Sequence, residues 1–258
     1  MWSGVGTLCG AVLLLAPVLV PGPALAFESY AEVKRVLYDQ VFANDRRTFY
    51  CQCTFDSARR PDLAACGYRI SGNVERANRV EVEHVVPASW IGAGRRCWRE
   101  KICRDGRGRA FKGRKCCLRT DPAFRAAYQD LHNLRPVIGE INERRQNFRF
   151  AMIDGERRAF GRCDFEVEPR NRSAEPRPEI RGDIARISLY MDETHGIRLS
   201  PLLRDQFRAW NRADPPDDEE RRRNRLITRF QGQSNRFVEG PRDPLYRQKK
   251  VRIPSITR

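Results

Sequence analysis

The sequence has 258 residues, 32% of them charged, with 49 Lys and Arg against 33 Asp and Glu and a formal net charge of +16. No stretch beyond residue 26 is long or apolar enough for a transmembrane helix, which argues against a membrane-embedded body. So strong a positive field argues against cationic partners and points to polyanions. Only six of the basic residues are Lys, an imbalance that genomic base composition can explain. It does not explain the excess of bases over acids.

Residues 1–26 read as a secretory signal peptide. The apolar run Ala11 to Val20 is too short to span a bilayer, Pro21-Gly22-Pro23 breaks any helix, and Ala24-Leu25-Ala26 is a small-x-small cleavage site. The n-region lacks Lys and Arg, so a retained N-terminal anchor is the competing reading. Residues 27–258 suffice for one substantial core. Eight cysteines remain there: Cys51, Cys53, Cys66, Cys97, Cys103, Cys116, Cys117 and Cys163. An even number in an exported chain points to disulfides, each worth about 2–4 kcal/mol. Adjacent Cys116 and Cys117 are expected to take different partners. A zinc cluster on Cys51, Cys53 and Cys66 is the alternative, but its Cys-x-Cys spacing is tighter than structural zinc sites use.

In chain order, Tyr30, Val33, Val36, Leu37 and Val41 predict a helix over 28–42 capped by Ser29. Residues 48–73 are Cys- and turn-rich. Val80 to Val86 reads as a strand ended by Pro87. Residues 99–119 read as a long basic surface loop pinned by cysteines. Asp121-Pro122 starts a helix, with Asp as cap and Pro at the first position. Leu134, Val137, Ile138 and Ile141 repeat as i, i+3, i+4, i+7 and predict another. Residues 166–181 read as a polar loop. Ile184 to Met191 predicts a helix capped by Asp183 and stopped near Gly196, and a further one spans Leu202–Trp210 before the acidic, Pro-containing run 214–220. The expected organisation is one α+β domain over 27–245 with a basic tail over 246–258.

Two clusters carry chemistry. In Val80-Glu81-Val82-Glu83-His84-Val85-Val86-Pro87, neighbouring Glu83 and His84 would face opposite ways on a regular strand. Serving one site requires the strand to end or bulge there. A neutral His can deprotonate water near neutral pH, and a carboxylate is a hard ligand suited to Mg²⁺. The second cluster runs from Asp130-Leu131-His132-Asn133 to Asn147-Phe148. Asn133 has two readings there, as N-cap of the following helix or as a neutral metal ligand.

Together the clusters resemble endonuclease I, the periplasmic or secreted bacterial nucleases of the ββα-metal (His-Me finger) class. The resemblance rests on Arg79 to Ala88, on His132-Asn133-Leu134-x-Pro136, and on Gly139-Glu140-x-Asn142-x-x-Arg145-x-Asn147-Phe148. Gly182-x-Ile184-Ala185-Arg186 and Phe207-x-Ala209-Trp210-Asn211 extend it over about residues 28–238. It implies a disulfide-stabilised ββα-metal core in an α+β domain, His84 as general base, and Glu83 and Asn133 as ligands of one Mg²⁺, for which Mn²⁺ or Ca²⁺ could substitute. It implies 5′-phosphate products. The family's arginine beside the scissile phosphate maps to Arg114 when aligned backward from Cys117 and Asp121-Pro122, with Arg107 and Arg109 competing. Arg107, Arg109 and Arg144 are the expected further contacts to nucleic acid. The region after Cys97-Trp98 is longer than in the family and no cysteine follows Cys163, so the family's disulfide pairing does not carry over. A Cys103–Cys116 bridge closing the insertion is expected instead.

The implied activity is hydrolysis of double- and single-stranded DNA, and of RNA, with little sequence preference, by a monomeric periplasmic or secreted protein. Binding through phosphates rather than base edges gives that indifference. The rival is a catalytically inactive exported DNA-binding protein on the same scaffold. The joint presence of His84, Glu83 and Asn133 favours the enzyme.

Overall fold

The computed structural model describes residue 1, residues 27–155 and residues 157–239; the expected signal peptide and basic tail lie outside the described residues. Helix α1, Tyr30–Val36, starts at Ser29, whose side chain accepts from the Glu32 amide, and runs on as a wider π turn over Leu37–Val41. Short α2, Val74–Ala77, leads into strand β1, Val80–His84. Helices α3, Ala88–Gly92, and α4, Arg96–Arg99, follow. The stretch read as a basic loop is then a small antiparallel hairpin, β2 Cys103–Arg104 with β3 Ala110–Phe111, and a helix, α5 Arg114–Thr120. With so little apolar content, this segment gave no period to read. Disulfides hold it instead, Cys97–Cys117 and Cys103–Cys116. Cys51–Cys163 and Cys53–Cys66 complete the set, so the cysteines considered for zinc are all oxidised.

Asp121 caps helix α6, Pro122–Gln129, by accepting from the Phe124 amide, with Pro at the helix start. The helix expected over 134–141 divides in two. Leu134–Ile138 is strand β4 and only Gly139–Arg145 is helix α7. Every residue of β4 is buried. A strand covered on both faces shows no alternation, so its apolar residues mimicked a helical repeat. β4 pairs antiparallel with β1, placing Glu83 opposite Arg135 and His84 opposite Leu134. Helix α7 follows β4 directly and packs against both strands.

Residues 166–181 are not a loop. β6, Phe165–Glu168, and β7, Ser173–Pro176, form a sheet with β5, Arg149–Phe150, in the order β5-β7-β6. Helix α8, Arg181–His195, is buried along most of its length and ends at Gly196 in the left-handed conformation, φ +64°. Its N-cap is Ile180; Asp183 sits inside the first turn, where it pairs with Arg186 and Arg223. Helix α9, Pro201–Ala213, packs on α8. Within the acidic run Asp217 caps α10, Asp218–Gln231, and the residues after it in the run form its first turn; short α11, Arg236–Glu239, follows. Arg186 reaches from α8 to Glu220 of α10, fastening the two by a buried ion pair. The core lies between these helices and the strands, with Phe124, Ile141, Phe165, Ile184 and Phe207 essentially sealed from solvent.

Candidate active site

β1 stops at His84, and the chain turns away through Val85 and Val86. Because the strand ends there, Glu83 and His84 both line one cleft, about 780 Å³, between α1, β1, α5, α6 and α7. The strand exit is held from behind by two buried side chains. Arg145 of α7 donates to the carbonyls of His84 and Val85, at 3.0 and 2.5 Å, and stands 3.1 Å from Glu83 Oε1. The Asn133 amide accepts from the Val86 N–H at 2.7 Å and donates to the Val86 carbonyl at 2.9 Å.

His84 Nε2 lies 2.9 Å from the Tyr128 carbonyl. A carbonyl only accepts, so Nε2 carries the proton and Nδ1 holds the lone pair. The Tyr128 ring packs on the imidazole at 4.2 Å and the Tyr30 ring lies parallel to it at 6.0 Å. Burial lowers the His84 pKa to about 4, with the hydrogen bond to Tyr128 opposing and the charges of Arg114 and Arg145 assisting. The imidazole is therefore neutral at neutral pH and able to accept a proton.

Glu83 is 3% exposed. Burial pushes its pKa up, against the pull of Arg145 and a hydrogen bond from the Tyr50 hydroxyl. Two residues earlier, Glu81 is gripped by Arg76 and Arg79 and accepts from Asn142 Nδ2 at 2.9 Å. That bond spends the nitrogen of the Asn142 amide and leaves Oδ1 as a free acceptor in the cleft wall. Gly139 allows this approach: a Cβ there would lie 2.6 Å from the Arg76 carbonyl and 2.8 Å from Glu81 Oε1. Arg114 opens α5, and its guanidinium reaches the cleft over the Tyr128 ring, 5.8 Å from its centroid. Gly113 before it, φ +88°, makes the turn that aims it.

The family model for Endonuclease I matches residues 28–242. The chain belongs to the endonuclease I family. It is 37% identical to an extracellular deoxyribonuclease of Aeromonas hydrophila over 90% of this chain and 96% of the relative. It is 36% identical to a periplasmic deoxyribonuclease of the same organism over 86% and 90%, and 34% identical to endonuclease-1 of Buchnera aphidicola subsp. Acyrthosiphon pisum (strain APS) over 82% and 80%.

Within this endonuclease I member, the residues expected from sequence separate into two sets. Glu83, His84 and Arg114 meet in the cleft. Asn133 does not: it is fully buried, both ends of its amide are bonded to Val86, and it neither lines the cleft nor caps a helix. Arg107 and Arg109 lie exposed on the β2–β3 hairpin outside the cleft, and Arg109 pairs with Asp105 at 2.8 Å. Arg144 is on the outer side of α7, 3.4 Å from the Ser71 carbonyl, facing a separate shallow depression. Asn142, Tyr30 and Tyr128 are cleft residues that sequence reasoning left unassigned. Asn142 stood in the matched motif, three residues before Arg145.

Among the described residues, no three His, Cys, Asp or Glu side chains gather into a metal cage. The cleft instead offers a carboxylate on Glu83 and an amide oxygen on Asn142. Hard oxygen donors, few in number, suit Mg²⁺, which keeps several of its waters and is seldom enclosed by protein.

Proposed function

We propose that this chain is an exported, monomeric, metal-dependent endonuclease of the ββα-metal class, the β1–β4 pair and α7 forming that core. It hydrolyses phosphodiester bonds of double- and single-stranded DNA, and of RNA, with little sequence preference. The observation that carries this reading is the neutral His84, its Nε2 fixed by the Tyr128 carbonyl, in one cleft with Glu83, Arg114 and Asn142.

In this account His84 Nδ1 takes a proton from a water that attacks phosphorus, while the 3′ oxygen leaves with the electron pair of its bond to phosphorus and takes a proton from solvent water, so that one product keeps a 5′-phosphate and the other a 3′-hydroxyl. Tyr30 and Tyr128 hold the imidazole plane and keep bulk water from it. Arg114 sets a fixed positive charge against the phosphate, where charge builds up in the transition state. Glu83 and the Asn142 amide oxygen would hold the cation, with Asn142 taking the part the motif reading gave to Asn133. Bound there, Mg²⁺ supplies Lewis-acid neutralisation of the phosphate and of the departing oxygen. Arg145 and Asn133 position the strand exit without touching substrate. The relatives named for extracellular and periplasmic deoxyribonucleases support export and DNA as substrate.

The test is nicking of supercoiled plasmid by oxidatively folded protein, with Mg²⁺ and with EDTA. Cleavage confined to the Mg²⁺ reaction is expected. DNA binding without cleavage under Mg²⁺, Mn²⁺ or Ca²⁺ would return the chain to the inactive DNA-binding alternative.

A further inference from the structure

Residues 101–119 contain eight basic side chains and one acidic one, Asp105. A charge run is ordinarily just a solvated face, but this one has a built tip. The Asp105 carboxylate is spent inside the hairpin: Oδ1 accepts from the amides of Arg107 and Arg109, each at 2.9 Å, and Oδ2 from Arg109 Nε at 2.8 Å. Gly108, φ +74°, completes the turn, and Arg104 Nη1 donates across it to the Gly108 carbonyl at 2.9 Å. The single acid thus shapes the turn. The side chains of Lys101 and Arg107 are exposed and make no hydrogen bond or ion pair among the described residues.

The base of the hairpin is fused to the cleft wall. Cys103 is bridged to Cys116 and Cys97 to Cys117, joining the hairpin and α4 to α5. The Gly113 amide donates to the Cys97 carbonyl at 2.9 Å, and Lys112 Nζ to the Arg99 carbonyl at 3.0 Å. Those same short helices supply Trp98 and Arg114 to the cleft. Tip and cleft therefore form one cross-linked unit, with its ordering cost met before any ligand arrives.

We propose that the hairpin is a distal subsite: a rigid arm that grips the nucleic-acid backbone away from the scissile phosphate, through Arg107 at its tip and Lys101 just before its base, without reading bases. Arms of four residues reach roughly 13 Å, about four base-pair steps. The arm makes the enzyme favour long polymer over short fragments. This rests on the nuclease reading above only for its catalytic readout.

The test is a Lys101→Gln/Arg107→Gln variant of the oxidised protein, beside Lys101→Arg/Arg107→Lys, which keeps both charges. Affinity for a labelled duplex of about 30 base pairs is measured by anisotropy in EDTA over a salt series. The glutamine variant should lose about 1.8 from the slope of log affinity against log salt and bind roughly tenfold more weakly at physiological salt. The charge-conserving variant should keep the wild-type slope. With Mg²⁺, the ratio of kcat/KM for that duplex to kcat/KM for a tetranucleotide should fall roughly tenfold in the glutamine variant. An unchanged slope and ratio would overturn the proposal. Absence of cleavage by the wild type would defeat the nuclease reading and leave the binding slope to decide this one.

Discussion

Two asparagines nine positions apart carry different burdens, and substituting each in turn separates them. Asn133 is sealed in the protein with its amide spread across the Val86 N–H and carbonyl. Asn133→Ala leaves both backbone groups buried and unpaired, at about 1–3 kcal/mol each. A clear fall in Tm is expected. Asn142→Ala removes an acceptor oxygen from the cleft, so Mg²⁺ affinity measured by calorimetry should drop while Tm moves little. Loss of Mg²⁺ affinity in Asn133→Ala at wild-type stability would restore Asn133 as the ligand. Glu83, His84 and Arg114 are singled out by the family resemblance rather than by local pattern, and all three line the cleft. Asn133 lies outside the cleft and Asn142 in its wall because the apolar repeat that predicts one helix from residue 134 folds as a strand followed by a helix.

At the scale of elements, capping chemistry was readable and burial on both faces was not. Ser29 and Asp121 cap the helices they were expected to cap. β4 and β7 have no exposed face to alternate with, so one passed for helix and the other for loop. Helix α10 is dense in charge and presented no apolar stripe, yet its Arg223, Glu220 and Gln231 are buried partners of other elements. One such junction is Asp130, which follows α6 and accepts from Tyr190 and His195 of α8, Gln231 of α10 and the His132 amide. Burial alone would raise its pKa. The hydrogen bond from His195, the charges of His132 and His195 and the bond from Gln231 outweigh that and hold it at about 2.

A carboxylate depressed on folding adds stability above its unfolded pKa and loses it as pH falls through the folded one. Asp130 thus contributes about 2 kcal/mol at neutral pH, fading between about pH 4 and 2. In denaturant titrations, Asp130→Asn should trail the wild type clearly at pH 7 and much less near pH 2.5. A gap that does not change with pH would remove the junction's electrostatic role.

Across the whole molecule, charge and cysteine number announced a polyanion-directed, cross-linked protein, and that reading agrees with the four bridges and the family. Which cysteines pair depended on how β2, β3 and α5 fold back on α4, a long-range outcome that composition does not encode. The same holds for the cleft, whose walls come from α1 near one end of the described chain and α7 more than a hundred residues later. What joins them is a single chemical claim, that His84 is the base. The measurement that tests it most directly compares wild type with His84→Ala in Mg²⁺, following plasmid cleavage and duplex affinity in the same preparations. The account predicts that cleavage falls by at least about a hundredfold while affinity and Tm stay near wild type. Retention of wild-type cleavage by His84→Ala, in protein shown to be folded, would contradict it.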